Sequence, residues 1–216
     1  MKVEIWYDFV CPFCYMGKRL FENALAQFPH HEDVEVVFKS YQLDPKGAIY
    51  SGQSISQLLA AKYGMSLEEA IQANEQIGQQ AAKLGLDYNL DGMKPTNTLA
   101  AHCLAQYAKT EGKDKEFIDK IYHAYFVEGK VISEHATLIE ASVLAGLDKN
   151  VVMAVLKDPS IYASNVKKDQ AQAHKIGVNG VPFFLISNKH SISGAQPVSV
   201  ILDSLTNAYG DAVSTK

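Results

Sequence analysis

The chain has 216 residues, 47% apolar and 20% charged, an ordinary globular composition that can bury a core without a metal or disulfide staple. Twenty Lys and Arg against 24 Asp and Glu leave a net charge of −4, which argues against a dedicated nucleic-acid binder. Three Cys exclude a disulfide framework, and no stretch nears the roughly 20 apolar residues of a membrane helix.

In chain order, residues 2–9 are rich in Val, Ile, Trp, Tyr and Phe and read as a buried strand. Acids at Glu4 and Asp8 do not fit a secretory leader. With Met1 as the start, a cytoplasmic protein is expected, in a compartment that keeps thiols mostly reduced. Cys11-Pro12 follows at once, and Pro is tolerated in a first helical turn. Leu20, Phe21, Ala24, Leu25 and Phe28 then recur at helical spacing up to Pro29. Residues 34–40 form a second strand, so the chain opens β-α-β with two parallel strands.

From 54 to 176 the pattern is helical throughout. Ser66-Leu-Glu-Glu69 has capping-box spacing. An apolar run at 99–104 ends at Gly112, and Phe117, Ile121, Tyr125 and Phe126 share a face that stops at Gly129. Short helices are expected at 138–144 and 151–156, and a longer one at 162–176. Sheet returns at 181–187, where Pro182 spares a ladder donor. Asn188-Lys189 is the turn candidate before an antiparallel strand at 190–193, and a terminal helix covers 198–208. The expected organisation is one sheet domain, 1–50 with 177–216, interrupted by a helical domain over 51–176.

The chemistry concentrates at Cys11-Pro12-Phe13-Cys14. Two Cys three residues apart in a first turn lie on one helix face. Free N–H groups and the positive dipole end favour a thiolate at Cys11, the nucleophilic form. Cys11 would attack a substrate disulfide, and Cys14, one turn in, would resolve the mixed disulfide. A CxxC within βαβ reads as a thioredoxin-like redox site. Two small core residues that happen to be Cys is the weaker reading. Structural zinc is weaker still, since it wants four ligands and only Cys103 and scattered His remain; no metal is expected. Val181-Pro182 is the second signal. As a cis-proline in such a fold, Pro182 would face the CxxC, and Val181 would offer its main chain to an extended peptide or to glutathione. Pro12 and Phe13 join Val181 as expected substrate contacts.

Trp6-Tyr-Asp-Phe-Val-Cys-Pro-Phe-Cys-Tyr-Met-Gly-Lys-Arg19 resembles the active-site segment of the DsbA-like thioredoxin superfamily, and more narrowly its cytoplasmic FrnE-like branch of dithiol–disulfide isomerases or oxidoreductases. Tyr41-Gln-Leu-Asp-Pro45, Ala124-Tyr-Phe-Val-Glu-Gly129, Gly177-Val-Asn-Gly-Val-Pro-Phe-Phe184 and Ile192-Ser-Gly-Ala-Gln-Pro197 extend the likeness over nearly the whole chain. The resemblance implies a thioredoxin-like α/β fold with an all-α insertion. It also implies Cys11 as nucleophile, Cys14 as resolving thiol and Pro182 as cis-proline. The implied substrates are protein or small-molecule disulfides, with no tightly bound cofactor, glutathione as a co-substrate, and a monomer or homodimer. A related branch, kappa-class transferases and 2-hydroxychromene-2-carboxylate isomerases, typically carries Ser at the position of Cys11. A glutathione-dependent transferase or isomerase of small aromatic compounds is therefore the alternative. Phe13 stands where DsbA has His, which implies a milder oxidant.

Asp8, three residues before Cys11, is a candidate proton relay, although a turn or capping role is the leading reading. Lys18 is read by default as an exposed helix lysine, Cys103 as a small buried hydrophobe, and the dispersed His residues as packing or surface.

Overall fold

The computed structural model describes residues 1–48 and 52–214. It falls into two compact units, Met1–Leu43 with Lys168–Lys216, and Asp44–Lys167. The second half of one helix thereby belongs with the sheet, where the sequence reading ended the helical block at 176. The domain bound expected at 50/51 lies outside the described residues.

In the first unit, β1 (Lys2–Tyr7) leads into α1 (Pro12–Gln27) and then β2 (Glu35–Ser40), with a 3-10 turn at His31–Asp33 between them. β1 and β2 pair in parallel, from Lys2↔Glu35 to Tyr7↔Ser40. The far end of the chain supplies β3 (Phe183–Ile186), β4 (His190–Ser193) and the terminal helix α9 (Val198–Ser214). The sheet order is β2-β1-β3-β4, with β3 antiparallel to both neighbours. β1 is therefore interior, which explains its nearly unbroken burial.

The pleat sorts side chains onto two faces. Val3 and Ile5 lie opposite Ile186 and Phe184, and Phe184 lies opposite Ile192; all are buried. Phe21 of α1 stacks on Phe184 with ring centroids 5.7 Å apart. Each such buried aromatic contributes about 1.5–3 kcal/mol by leaving water. Trp6 faces the other side. It packs with Tyr41, Ala173 and Val178, and its indole N–H donates to the Asp169 carbonyl at 3.0 Å. On that face Lys39 pairs with both Asp169 (3.2 Å) and Glu4 (3.5 Å), so the buried carboxylates have a cation beside them.

β3 starts at Phe183, two residues later than the sequence suggested, because Pro182 has no N–H to place in the ladder. The hairpin turn is centred on Ser187 and Asn188, at φ 52° and 57°, not on Asn188-Lys189. Two left-handed residues give the turn the twist that flanking strands need.

The second unit contains α2 (Ile55–Tyr63), α3 (Leu67–Ala82), α4 (Leu99–Thr110), α5 (Asp114–Tyr122), α6 (His135–Leu144), α7 (Lys149–Lys157) and the first half of α8 (Ser160–Lys175). Ser66 and Glu69 form the reciprocal capping box, and Ser54 with Gln57 forms another ahead of α2. Phe117, Ile118, Ile121 and Phe126 are buried with Leu104 and Leu138. After α5 the chain widens into a π turn, His123–Val127, where Glu128 N–H reaches back five residues to His123 O at 3.1 Å. Gly129 ends it at φ +65°, with its Cα packed onto the Gly92 carbonyl, which a Cβ would meet at 2.7 Å. Gly129→Ala is expected to lose about 2–4 kcal/mol of stability, from the left-handed conformation and the clash together, read as a lower urea midpoint.

Candidate functional site

The sheet ends and the helix starts where the thiols are. Asp8 terminates β1, Cys11 N–H closes a turn onto Asp8 O at 3.3 Å, and Cys11 becomes the N-cap residue of α1 with extended backbone (φ −88°, ψ 112°). Pro12 takes the first helical position, where a missing N–H costs nothing. No acidic residue occupies the first turn itself, so the nearest carboxylate is that of Asp8, just outside the helix. Cys14 N–H bonds Cys11 O at 3.0 Å, which sets the two Cys one turn apart. Both are free thiols and both are nearly covered, Cys11 4% and Cys14 2% exposed.

The loop before β3 completes the arrangement. The Val181–Pro182 peptide is cis. The Cys11 thiol donates to the Val181 carbonyl at 3.4 Å, a contact across 170 positions of sequence. The Pro182 ring lies on α1 at Gly17, where a Cβ would stand 2.8 Å from Pro182 Cγ. A glycine at 17 is thus what lets the loop come so close. Val181 is half-buried against the Trp6 and Tyr41 cluster, which fixes the loop from its other side.

The Cys14 thiol is pushed well above the ordinary cysteine range. Burial is the main cause, followed by its hydrogen bond to Cys11 and the charge of Cys11; an Asp8 main-chain bond works in the opposite direction, and the Asp8 charge adds to the rise. Asp8 is 1% exposed. Its two carboxylate oxygens accept from Phe9 N–H and from Leu43 N–H, each at 2.8 Å. A buried carboxylate is therefore held by main chain on both sides, and its charge adds to the rise of the Cys14 thiol.

The structure gathers Asp8, Cys11, Cys14, Val181 and Pro182 at one sheet end, with Pro12 and Phe13 in the first helical turn. Phe13 is exposed, at 39%, beside the covered thiols. Lys18 departs from expectation. It is 4% exposed and forms an ion pair with Glu22 one turn on, because α1 is covered on more of its circumference than an apolar stripe reveals. Leu43, whose N–H holds Asp8, was not visible as a site residue. Its only signal was membership of the Tyr41–Pro45 segment, and a main-chain donor leaves no mark on residue type. Cys103 lies in the other unit, fully buried on α4, its thiol directed at Pro159 O (3.8 Å) and pushed up to about 11 by burial. Among the described residues, no group of three or more His, Cys, Asp or Glu is placed to hold a metal, and no helix is long and apolar enough to cross a membrane.

Comparison with known proteins bears on the family and the fold. The DSBA-like thioredoxin domain family matches residues 2–206. A probable DsbA oxidoreductase of Streptomyces coelicolor is 42% identical, with a TM-score of 0.94 over 97% of this chain and 90% of its own. DsbM of Pseudomonas aeruginosa, a cytosolic disulfide reductase solved with glutathione, is 14% identical, with a TM-score of 0.61 over 100% of this chain and 98% of its own. A 2-hydroxychromene-2-carboxylate isomerase, also 14% identical, aligns over 100% of both chains with a TM-score of 0.71. The last two likenesses speak for the fold alone. The chain belongs to the DsbA-like thioredoxin domain family, whose members are typically oxidoreductases, and has its thioredoxin-like α/β fold.

Proposed function

We propose that the protein is a thiol–disulfide oxidoreductase or isomerase of the cytoplasm, in the FrnE-like branch of its family, with Cys11 as nucleophile and Cys14 as resolving thiol. The observation that carries this reading is the Cys11 thiol at 3.4 Å from the Val181 carbonyl, at a helix N-terminus, with a second free thiol one turn on. Cys11, as thiolate, attacks one sulfur of a substrate disulfide. One substrate thiolate leaves, and a Cys11–substrate mixed disulfide forms. Without its proton Cys11 no longer donates to Val181 O, and that carbonyl becomes available to a peptide or glutathione N–H in a strand-like contact. Pro182 shapes this loop, and Pro12 with the exposed Phe13 provides an apolar lip for the substrate.

Resolution requires Cys14 to lose its proton, and burial holds that thiol high. We assign that proton to the Asp8 carboxylate. The Cys14 sulfur then attacks Cys11, the second substrate thiolate leaves, and the dithiol is oxidised as the substrate disulfide is reduced to two thiols. Two molecules of glutathione reduce the Cys11–Cys14 disulfide again and leave as glutathione disulfide. In a reducing compartment this favours reductase or isomerase action over net oxidation. DsbM, cytosolic and solved with glutathione, is consistent with that direction and with glutathione as co-substrate rather than bound cofactor.

The reading is tested by titrating the Cys103→Ser protein in glutathione buffers. A reversible two-electron couple between about −120 and −270 mV is expected; thiols inert to glutathione disulfide would overturn it. With Cys14→Ser, a Cys11 mixed disulfide should accumulate and be visible by mass spectrometry. Full turnover without Cys14 would instead favour glutathione-dependent transfer or isomerisation of small aromatic compounds. Asp8→Asn should slow resolution by about 100-fold, the low end of general-base effects, while leaving the first attack intact.

A further inference from the structure

The Asp8 carboxylate does not stand by itself. One of its donors, Leu43 N–H, belongs to the peptide unit whose carbonyl is Gln42 O. A peptide unit is planar and rigid, with its N–H and C=O pointing opposite ways. Whatever grips Gln42 O therefore sets the direction of Leu43 N–H. That grip comes from Gln170, on α8. Gln170 Nε2 donates to Gln42 O at 3.1 Å, and Gln170 Oε1 accepts from Gln42 N–H at 3.3 Å. A side-chain amide thus pairs with the main chain of Gln42 as a neighbouring strand would. The two residues before it are fixed as well: Ser40 N–H donates to Asp169 Oδ2 at 3.0 Å, and Tyr41 N–H to Tyr7 O at 3.0 Å. Gln42 is buried, so the pairing takes place away from competing water.

We propose that Gln170 is a positioning residue for the resolving step: its amide, through the rigid 42–43 peptide unit, holds the Asp8 carboxylate where it can take the Cys14 proton. This rests on the reading of Asp8 given above. Gln170 touches neither thiol nor substrate and acts only through that peptide. Hydrogen bonds in such a chain polarise one another, so losing the outer member weakens the inner one. The Leu43 N–H remains without Gln170, but its direction is no longer fixed, and its hold on the carboxylate loosens.

The experiment uses the full chain with Cys103→Ser and an aromatic disulfide that releases a coloured thiolate. One equivalent appears when Cys11 attacks and a second when Cys14 resolves, so the two steps are read separately. Gln170→Ala should leave the first phase unchanged and slow the second about tenfold, as expected for disturbing a pair of modest hydrogen bonds. In an Asp8→Asn background, Gln170→Ala should slow the second phase no further, because a residue acting through Asp8 has nothing left to act on. A second phase equal to the parent's would overturn the proposal, as would equal slowing of both phases or effects that multiply with those of Asp8→Asn. An unchanged second phase in Asp8→Asn itself would instead refute the reading of Asp8. Gln170→Met, which keeps the side-chain length without the amide, gives the same readout if the alanine variant folds poorly.

Discussion

Everything at the thiol end depends on one close approach, that of the Val181–Pro182 loop to the first turns of α1. The loop cannot reach Cys11 unless the helix is bare where the proline ring lies, and Gly17 makes it so. It cannot hold its height above the sheet unless β3 is registered against β1, and that register is set by the pairs Ile5↔Phe184 and Trp6↔Phe183. A one-residue slip would send Phe184 to the wrong face and take the carbonyl away from the sulfur. The apolar core under α1 is thus also the ruler that sets the 3.4 Å contact.

The two thiols share one turn and differ in surroundings. Cys11 sits at the helix end with a carbonyl in reach. Cys14 is deeper, and burial, before any charge, raises its thiol. That asymmetry suits a two-step exchange, since a resolving thiol that ionised early would compete with the nucleophile. Beside the two thiols Asp8 holds a 1% exposed position. Two main-chain N–H groups satisfy it there, and burial without them would be costly.

Much of this was legible from local pattern. The opening β-α-β, the capping box at Ser66 and the last hairpin follow from hydrophobic period and punctuation, because they are decided within a dozen residues. The thiol pair announced itself by spacing and by lying at a strand-to-helix junction. What was not legible is set by distant partners. Lys18 looks like a surface lysine until the rest of α1's surroundings are known. The turn at Ser187 and Asn188 follows the strand register, with a serine accepting a left-handed conformation that no glycine announced. The π turn at His123–Val127 leaves no periodic signature, and Gln42 and Gln170 are 128 positions apart.

The interior place of β1 has a consequence for biosynthesis. β1, α1 and β2 leave the ribosome together, but β1's second neighbour is β3, and residues 41–182 must be made in between. At about 5–20 residues per second, that leaves one edge of β1 open for roughly 7–28 seconds. During that time the nascent chain displays an unpaired strand edge, an adhesive surface for other chains. It also carries both thiols without the carbonyl that contacts Cys11 in the finished fold. The nucleophile is translated 170 positions ahead of the carbonyl it contacts. The inserted helices, whatever else they do, act as a delay line between the two.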